Sequence, residues 1–208
     1  MGNPWLDLPL ADYEGHMALP QVAQAQLLGD VFEQMLREFT PPSVAILGCS
    51  GGNGVERIAP GVTTRVVGVD VNSGYLGALR ARFAGRFQQL DLIAGDIQHD
   101  GVAFKPVAMV FAALLFEYVD VGVALPRIRS WLEEGGTLGT VVQLPSVTLS
   151  AVTPSPYASI QVLAPHMRLV PPARLRELAE LSGFGETASS QRESSAGKLF
   201  QVQQFRAQ

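Results

Sequence analysis

The sequence predicts an α/β fold, a mostly parallel sheet with helices on both faces, and three observations predict it. Strand-like apolar runs alternate along the chain with segments of helical period, which is what a covered parallel sheet requires. The run VAILGCSGGNG, Val44 to Gly54, passes from an apolar strand into a glycine-dense turn, and VVGVD, Val66 to Asp70, is a second apolar strand ending in a carboxylate. Val107 to Ala112 is nearly all apolar, the pattern of a central strand buried on both faces.

Leu28, Val31, Phe32, Met35, Leu36 and Phe39 share one face of a helix over Gln21 to Phe39, ended by Pro41 and Pro42. Strand one follows at Val44 to Leu47, and Gly54 to Ile58 opens a helix whose N-terminus looks back over the strand end. Strand two is Arg65 to Asp70. Tyr75, Leu76, Leu79 and Phe83 recur at helical spacing over Gly74 to Phe83, and Gln88 to Ala94 is strand three, closing on Gly95-Asp96. Strand four is Val107 to Ala112; a helix covers Val119 to Leu132 with Gly135-Gly136 as its stop signal, and strand five is Thr137 to Leu144. Prolines at 145, 154, 156, 165 and 171 forbid a continuous element, leaving a loop with at most a short helix near Ser155 to Leu163. Ala173 to Ser182 is the last helix, stopped by Gly183, and Glu186 to Ser194 pairs with Lys198 to Arg206 as a hairpin turning near Ala196-Gly197. Pro4 to Pro20 reads as mostly polar or irregular, although it holds Trp5, Tyr13, His16 and Met17. Trp131 and Phe184, where helices meet the sheet, are expected in the core.

The glycine turn and the carboxylate carry the chemistry. Glycine reaches positive φ without a Cβ clash and lets backbone N–H groups approach a ligand. A carboxylate at the second strand tip accepts hydrogen bonds from both hydroxyls of an unphosphorylated ribose and would repel a ribose phosphate. Gly48 to Gly54 with Asp70 therefore reads as a site for adenosine.

A chain of 208 residues, 47% apolar and 16% charged, has the material for one compact core. Its expected parts are an N-terminal arm and helix (1–40), a cofactor-binding core (42–144), a substrate-side insert (145–172) and a C-terminal helix and hairpin (173–208). A formal net charge of −4 without any cluster of Lys or Arg offers nucleic acid no electrostatic handle. The longest apolar run, Val107 to Phe116, is too short to span a bilayer, and Asp7, Asp12 and Glu14 do not suit a secretory signal. Cys49, the single cysteine, cannot form an internal disulfide. These features lead us to expect a cytoplasmic protein, monomer or homodimer, with a small-molecule substrate and neither nucleic acid nor membrane as partner. Three scattered histidines and one cysteine give no metal-ligand spacing, so no metal is expected. Cys49, inside the turn, reads as a packing residue.

Three motifs in order, LGCSGGNG with the following Glu56, VGVDVN and AGDIQ, resemble those of the class I S-adenosylmethionine-dependent methyltransferases over roughly Pro42 to Arg206. The resemblance implies a Rossmann-like methyltransferase fold, a seven-stranded sheet whose last two strands form an antiparallel pair, and S-adenosylmethionine as cofactor. It places Asp70 and the adjoining Val71 at the ribose, Asp96 at the adenine amino group and Ile97 on the ring. Gly48, Cys49 and Gly52 fall under the methionine part, and Ala112 where the fourth strand meets the sulfonium. Ile46 stands where the family often has an acid and Ser50 where it often has a second glycine. The methionine amine then needs backbone carbonyls or the Ala11 to Met17 stretch, whose Tyr13 suits closure over a nucleoside.

Gly48, Gly52 and Gly54 also fit the GxxxGxG turn of short-chain dehydrogenases that bind NAD(P). Those enzymes share a Tyr-x-x-x-Lys, whereas Tyr13, Tyr75, Tyr118 and Tyr157 are followed four positions on by Met17, Leu79, Gly122 and Gln161. A cofactor-binding domain without catalysis is the third reading. Methyl transfer is an in-line displacement that calls for alignment and exclusion of water. A base is required only for a protonated acceptor, and Glu117, Tyr118, His16 and His166 are the candidates.

Overall fold

The computed structural model describes residues 2–208 and contains one seven-stranded sheet in the order β3-β2-β1-β4-β5-β7-β6. Its strands are β1 (Ser43–Leu47), β2 (Arg65–Asp70), β3 (Gln89–Ala94), β4 (Val107–Ala113), β5 (Leu132–Gln143), β6 (Phe184–Glu193) and β7 (Leu199–Ala207). The first five are parallel, and β7 pairs antiparallel with both β5 and β6. From β1 the chain proceeds outward to β2 and β3, then crosses to β4 on the other side of β1. That reversal opens a crevice beyond the carboxyl ends of the central strands, the usual ligand position in open α/β sheets.

Successive strand residues face opposite ways, which divides the core in two. Val110 joins Val67, Leu125, Ile128, Phe184 and Phe205 on one face, under the helices α4 (Val121–Ser130) and α5 (Pro172–Leu181). Met109 and Phe111 join Phe32, Met35, Leu79 and Phe200 on the other, under α2 (Gln24–Phe39) and α3 (Ser73–Phe83). Trp131 and Phe184 are both buried, as expected.

Four elements differ from the sequence expectation. Residues 4–20 are not irregular: a 3₁₀ turn at Pro4–Leu6 leads into the helix α1 (Leu10–Ala18), which buries His16 and Met17. The following helix begins at Gln24 and not at Gln21, because the chain breaks at Leu19-Pro20 and Ala23 takes a left-handed φ of 51°. After Gly54 there is only a single turn, Val55–Arg57, cut short before Pro60 and tied to α2 by Arg57, whose guanidinium pairs with Asp30 at 2.5 Å and Glu33 at 2.7 Å. Helix α4 ends at Ser130, and Gly135-Gly136 lies inside β5. There the register against β4 jumps from Leu132 to Thr137, and Gly135, at φ 67°, supplies the irregularity. The proline-rich segment does contain a short helix, a 3₁₀ stretch at Ala158–Leu163.

Candidate active site

The crevice is lined by the N-terminal segment, the turn after β1 and the ends of β2, β3 and β4. Its floor is the turn after β1. Gly48 has φ 67° and Gly52 φ 96°, and the N–H groups of Gly48 and Cys49 both donate to the Val69 carbonyl, at 2.9 and 3.2 Å, pinning the turn to β2. Ser50 takes φ 48°, where an L residue is strained, and its buried Oγ has no hydrogen-bond partner. A buried hydroxyl left without a partner is costly, and this one borders the crevice.

Asp70 is 8% exposed at the tip of β2. Its Oδ2 accepts from the Ser50 N–H at 2.8 Å and its Oδ1 from the Asn72 N–H at 2.9 Å, so the carboxylate ties the glycine turn to the start of α3. Burial pushes its pKa up, and the N–H groups of Asn72, Ser50 and Val71 oppose that by stabilising the ionised form. Across the crevice, Asp96 Oδ1 accepts from the backbone and side-chain nitrogens of Gln98, at 2.9 and 3.1 Å.

The N-terminal segment forms the roof. Trp5 packs edge-on against Tyr13 and Tyr118, ring centres 5.5 and 5.1 Å apart, and Tyr13 stacks on Tyr75 at 6.4 Å. Asn72 Nδ2 donates to the Trp5 carbonyl at 2.9 Å, Tyr75 donates to the Leu8 carbonyl at 2.7 Å, and Arg82 pairs with Glu14 while donating to the Gly51 carbonyl. Burial raises the pKa of Tyr13, Tyr75 and Tyr118, so all three remain neutral phenols.

Trp5, Tyr13, Leu114 and Tyr118 also border a second hollow, reaching under the 145–172 insert. Leu114, just past β4, has φ 52°, a strained conformation for a bulky residue and one placed where the two hollows meet. His16 and Lys198 line the second hollow. His16 Nδ1 bonds the Ser155 hydroxyl at 2.9 Å, and burial, then the Lys198 charge, lower its pKa.

Gly48, Asp70, Val71, Asp96, Ile97 and Tyr13 all line the crevice. Cys49 is buried in the core with its thiol pKa pushed up, Ala112 is fully buried one residue before the crevice-lining Ala113, and Gly52 opens on a neighbouring hollow beside Arg82. Of the base candidates, His16 and Tyr118 reach the second hollow. His166 sits on the turn after the short helix, its N–H donating to the Leu163 carbonyl. Glu117 is 1% exposed; its Oε1 accepts from the Gln143 N–H at 2.7 Å, its Oε2 has no partner, and burial pushes its pKa up to about 7. Tyr75, Gln98 and Lys198 were not singled out from sequence: Tyr75 reads as one more apolar-face residue, and nothing in the spacing marks the other two.

Residues 44–136 match the model of a methyltransferase domain family. No curated protein matches the sequence. Among solved structures the chain is similar to the N-methyltransferase NodS from Bradyrhizobium japonicum WM9 in complex with S-adenosyl-L-homocysteine: 16% identity, 88% of this chain and 87% of that one covered, TM-score 0.66. Magnesium protoporphyrin IX methyltransferase (ChlM) from Synechocystis PCC 6803, also with bound S-adenosylhomocysteine, aligns at 13% identity over 90% and 84% of the chains, TM-score 0.67. The [4+2]-cyclase SpnF aligns at 13% identity over 85% and 80%, TM-score 0.64. These likenesses establish the fold. The segment matched by the methyltransferase-domain model, residues 44–136, holds the turn after β1, Asp70 at the tip of β2 and Asp96 after β3, seated on that sheet.

Proposed function

We propose that the protein transfers a methyl group from S-adenosylmethionine to a small-molecule acceptor held in the hollow beneath the 145–172 insert. The observation that carries this reading is Asp70, a buried carboxylate at the tip of β2, facing a crevice whose floor is the Gly48–Gly54 turn. The residues present fit the cofactor: Asp70 has lone pairs left for ribose hydroxyls, Asp96 for an exocyclic amine, and the partnerless Ser50 hydroxyl would gain a polar neighbour. When bound, the cofactor supplies a methyl group made electrophilic by its sulfonium.

The chain's own contribution is alignment and exclusion of water. Trp5, Tyr13 and Tyr118 cover the join between the two hollows, and Leu114 fixes where they meet. His16, its pKa held below the ordinary histidine value, is neutral near pH 7 and is the base we favour for a protonated acceptor. Glu117 acts behind the wall, bracing the Gln143 backbone. The test is incubation with methyl-labelled donor and a metabolite extract. Label should move to a small molecule, and Asp70→Ala should abolish the transfer; tight donor binding with no transfer would favour the inert binding domain instead.

A further inference from the structure

Lys198 lies within the second hollow without a counter-ion. It is 3% exposed, and its Nζ donates to the Ala151 carbonyl and the Thr153 hydroxyl, both at 2.9 Å and both neutral. No described carboxylate forms a salt bridge with it; Glu117, behind the wall, is turned to the Gln143 N–H. An ammonium removed from water is normally matched by an opposite charge or kept out of the interior. Here the hairpin builds it in. The Lys198 N–H donates to Ser194 Oγ, and its carbonyl accepts from the Ser194 N–H, which fixes the turn that sends the side chain under the insert. Burial lowers its pKa only to about 8, so it is still predominantly charged at pH 7, and its charge reaches His16 across the hollow. Most of the remaining wall is apolar or aromatic, including Trp5, Tyr118, Val152, Ile160 and Met167, with Gln24 and Gln143 as its uncharged polar members.

Resting on the methyltransferase reading, we infer that the acceptor is an organic carboxylate with an apolar body, its anionic end paired with Lys198 and its methylated atom toward Leu114 and Tyr118. The apolar walls bury the body and strengthen the ion pair by keeping water from it.

The test is a calorimetric titration of protein saturated with S-adenosylhomocysteine. Benzoate, phenylacetate and 4-hydroxycinnamate are each compared with the corresponding neutral amide, using native protein, Lys198→Met and Lys198→Gln. Glutamine keeps a donor for Ala151 and Thr153 but no charge, so it guards against a packing defect in the methionine variant. At least one carboxylate should bind tenfold or more tighter than its amide, and both variants should erase that preference while holding S-adenosylhomocysteine within twofold of native affinity. Equal binding of acid and amide, a preference surviving in both variants, or no binding by any of the three acids would overturn the inference. Failure of native protein to bind S-adenosylhomocysteine is a separate result, which would sink the cofactor reading and this one together.

Discussion

Glu117 shows how one buried side chain sets a pH dependence. Its carboxyl, fully enclosed with Oε2 unpartnered, titrates at about 7 against an ordinary value of 4.5. Between those values the folded protein keeps a proton that the unfolded chain has released. Stability therefore declines as pH rises from 4.5 to 7, and the loss is complete above that window. Glu117→Gln should abolish this slope and leave the variant more stable than native protein at pH 8 by about 1–3 kcal/mol. Urea unfolding at pH 4 and pH 8 checks it; parallel pH curves for the two proteins would refute it. At this scale Asp70, Gly48 and Asp96 were legible, because a strand-end carboxylate and a positive-φ glycine leave a local signature. Lys198 and the Ser50 hydroxyl were not, since burial and lack of a partner arise only when distant segments meet.

Helix α3 and the N-terminal segment are joined through Asn72. Its Oδ1 caps the helix by accepting from the N–H groups of Gly74 and Tyr75, at 2.9 and 3.3 Å, while its Nδ2 donates to the Trp5 carbonyl. Asn72→Ala removes both functions and should cost about 1 kcal/mol of stability. Asn72→Asp keeps the cap but sets a carboxylate oxygen against the Trp5 carbonyl. Hydrogen exchange should therefore show residues 3–9 loosened in both variants, with first-turn protection in α3 lost only in the alanine variant. Equal protection of the arm in all three proteins would show that Asn72 does not hold it. Buried strands were legible to within a residue or two for most of the sheet, because an unbroken apolar run admits few other readings. The N-terminal helix was not: α1 is ordered by packing on α2 and on the Ala158–Leu163 turn, and its own sequence carries little periodicity. Gly135-Gly136 misled because a glycine pair after a helix also suits an irregular strand.

Across the whole molecule, the crossover from β3 to β4 places the ends of β1, β2 and β4 around one crevice, while the antiparallel β7 and its turn deliver Lys198 to the hollow beside it. The parallel half followed from strand and helix alternation. The terminal hairpin followed from its own turn signal, and its place in the sheet from the family resemblance. That two hollows share a wall of Trp5, Tyr13, Leu114 and Tyr118 was beyond sequence reasoning, because those residues are far apart in the chain and meet only through the fold. Among the described residues no helix is long and apolar enough to cross a membrane. The account depends on the Asp70 carboxylate gripping the ribose of the cofactor, and calorimetric titration with S-adenosylhomocysteine tests this most directly. Native protein should bind at a single site, and Asp70→Asn should weaken binding by about 1–3 kcal/mol, the loss expected for charge-assisted hydrogen bonds. Absence of saturable binding by native protein, or equal affinity in a folded Asp70→Asn variant, would contradict it.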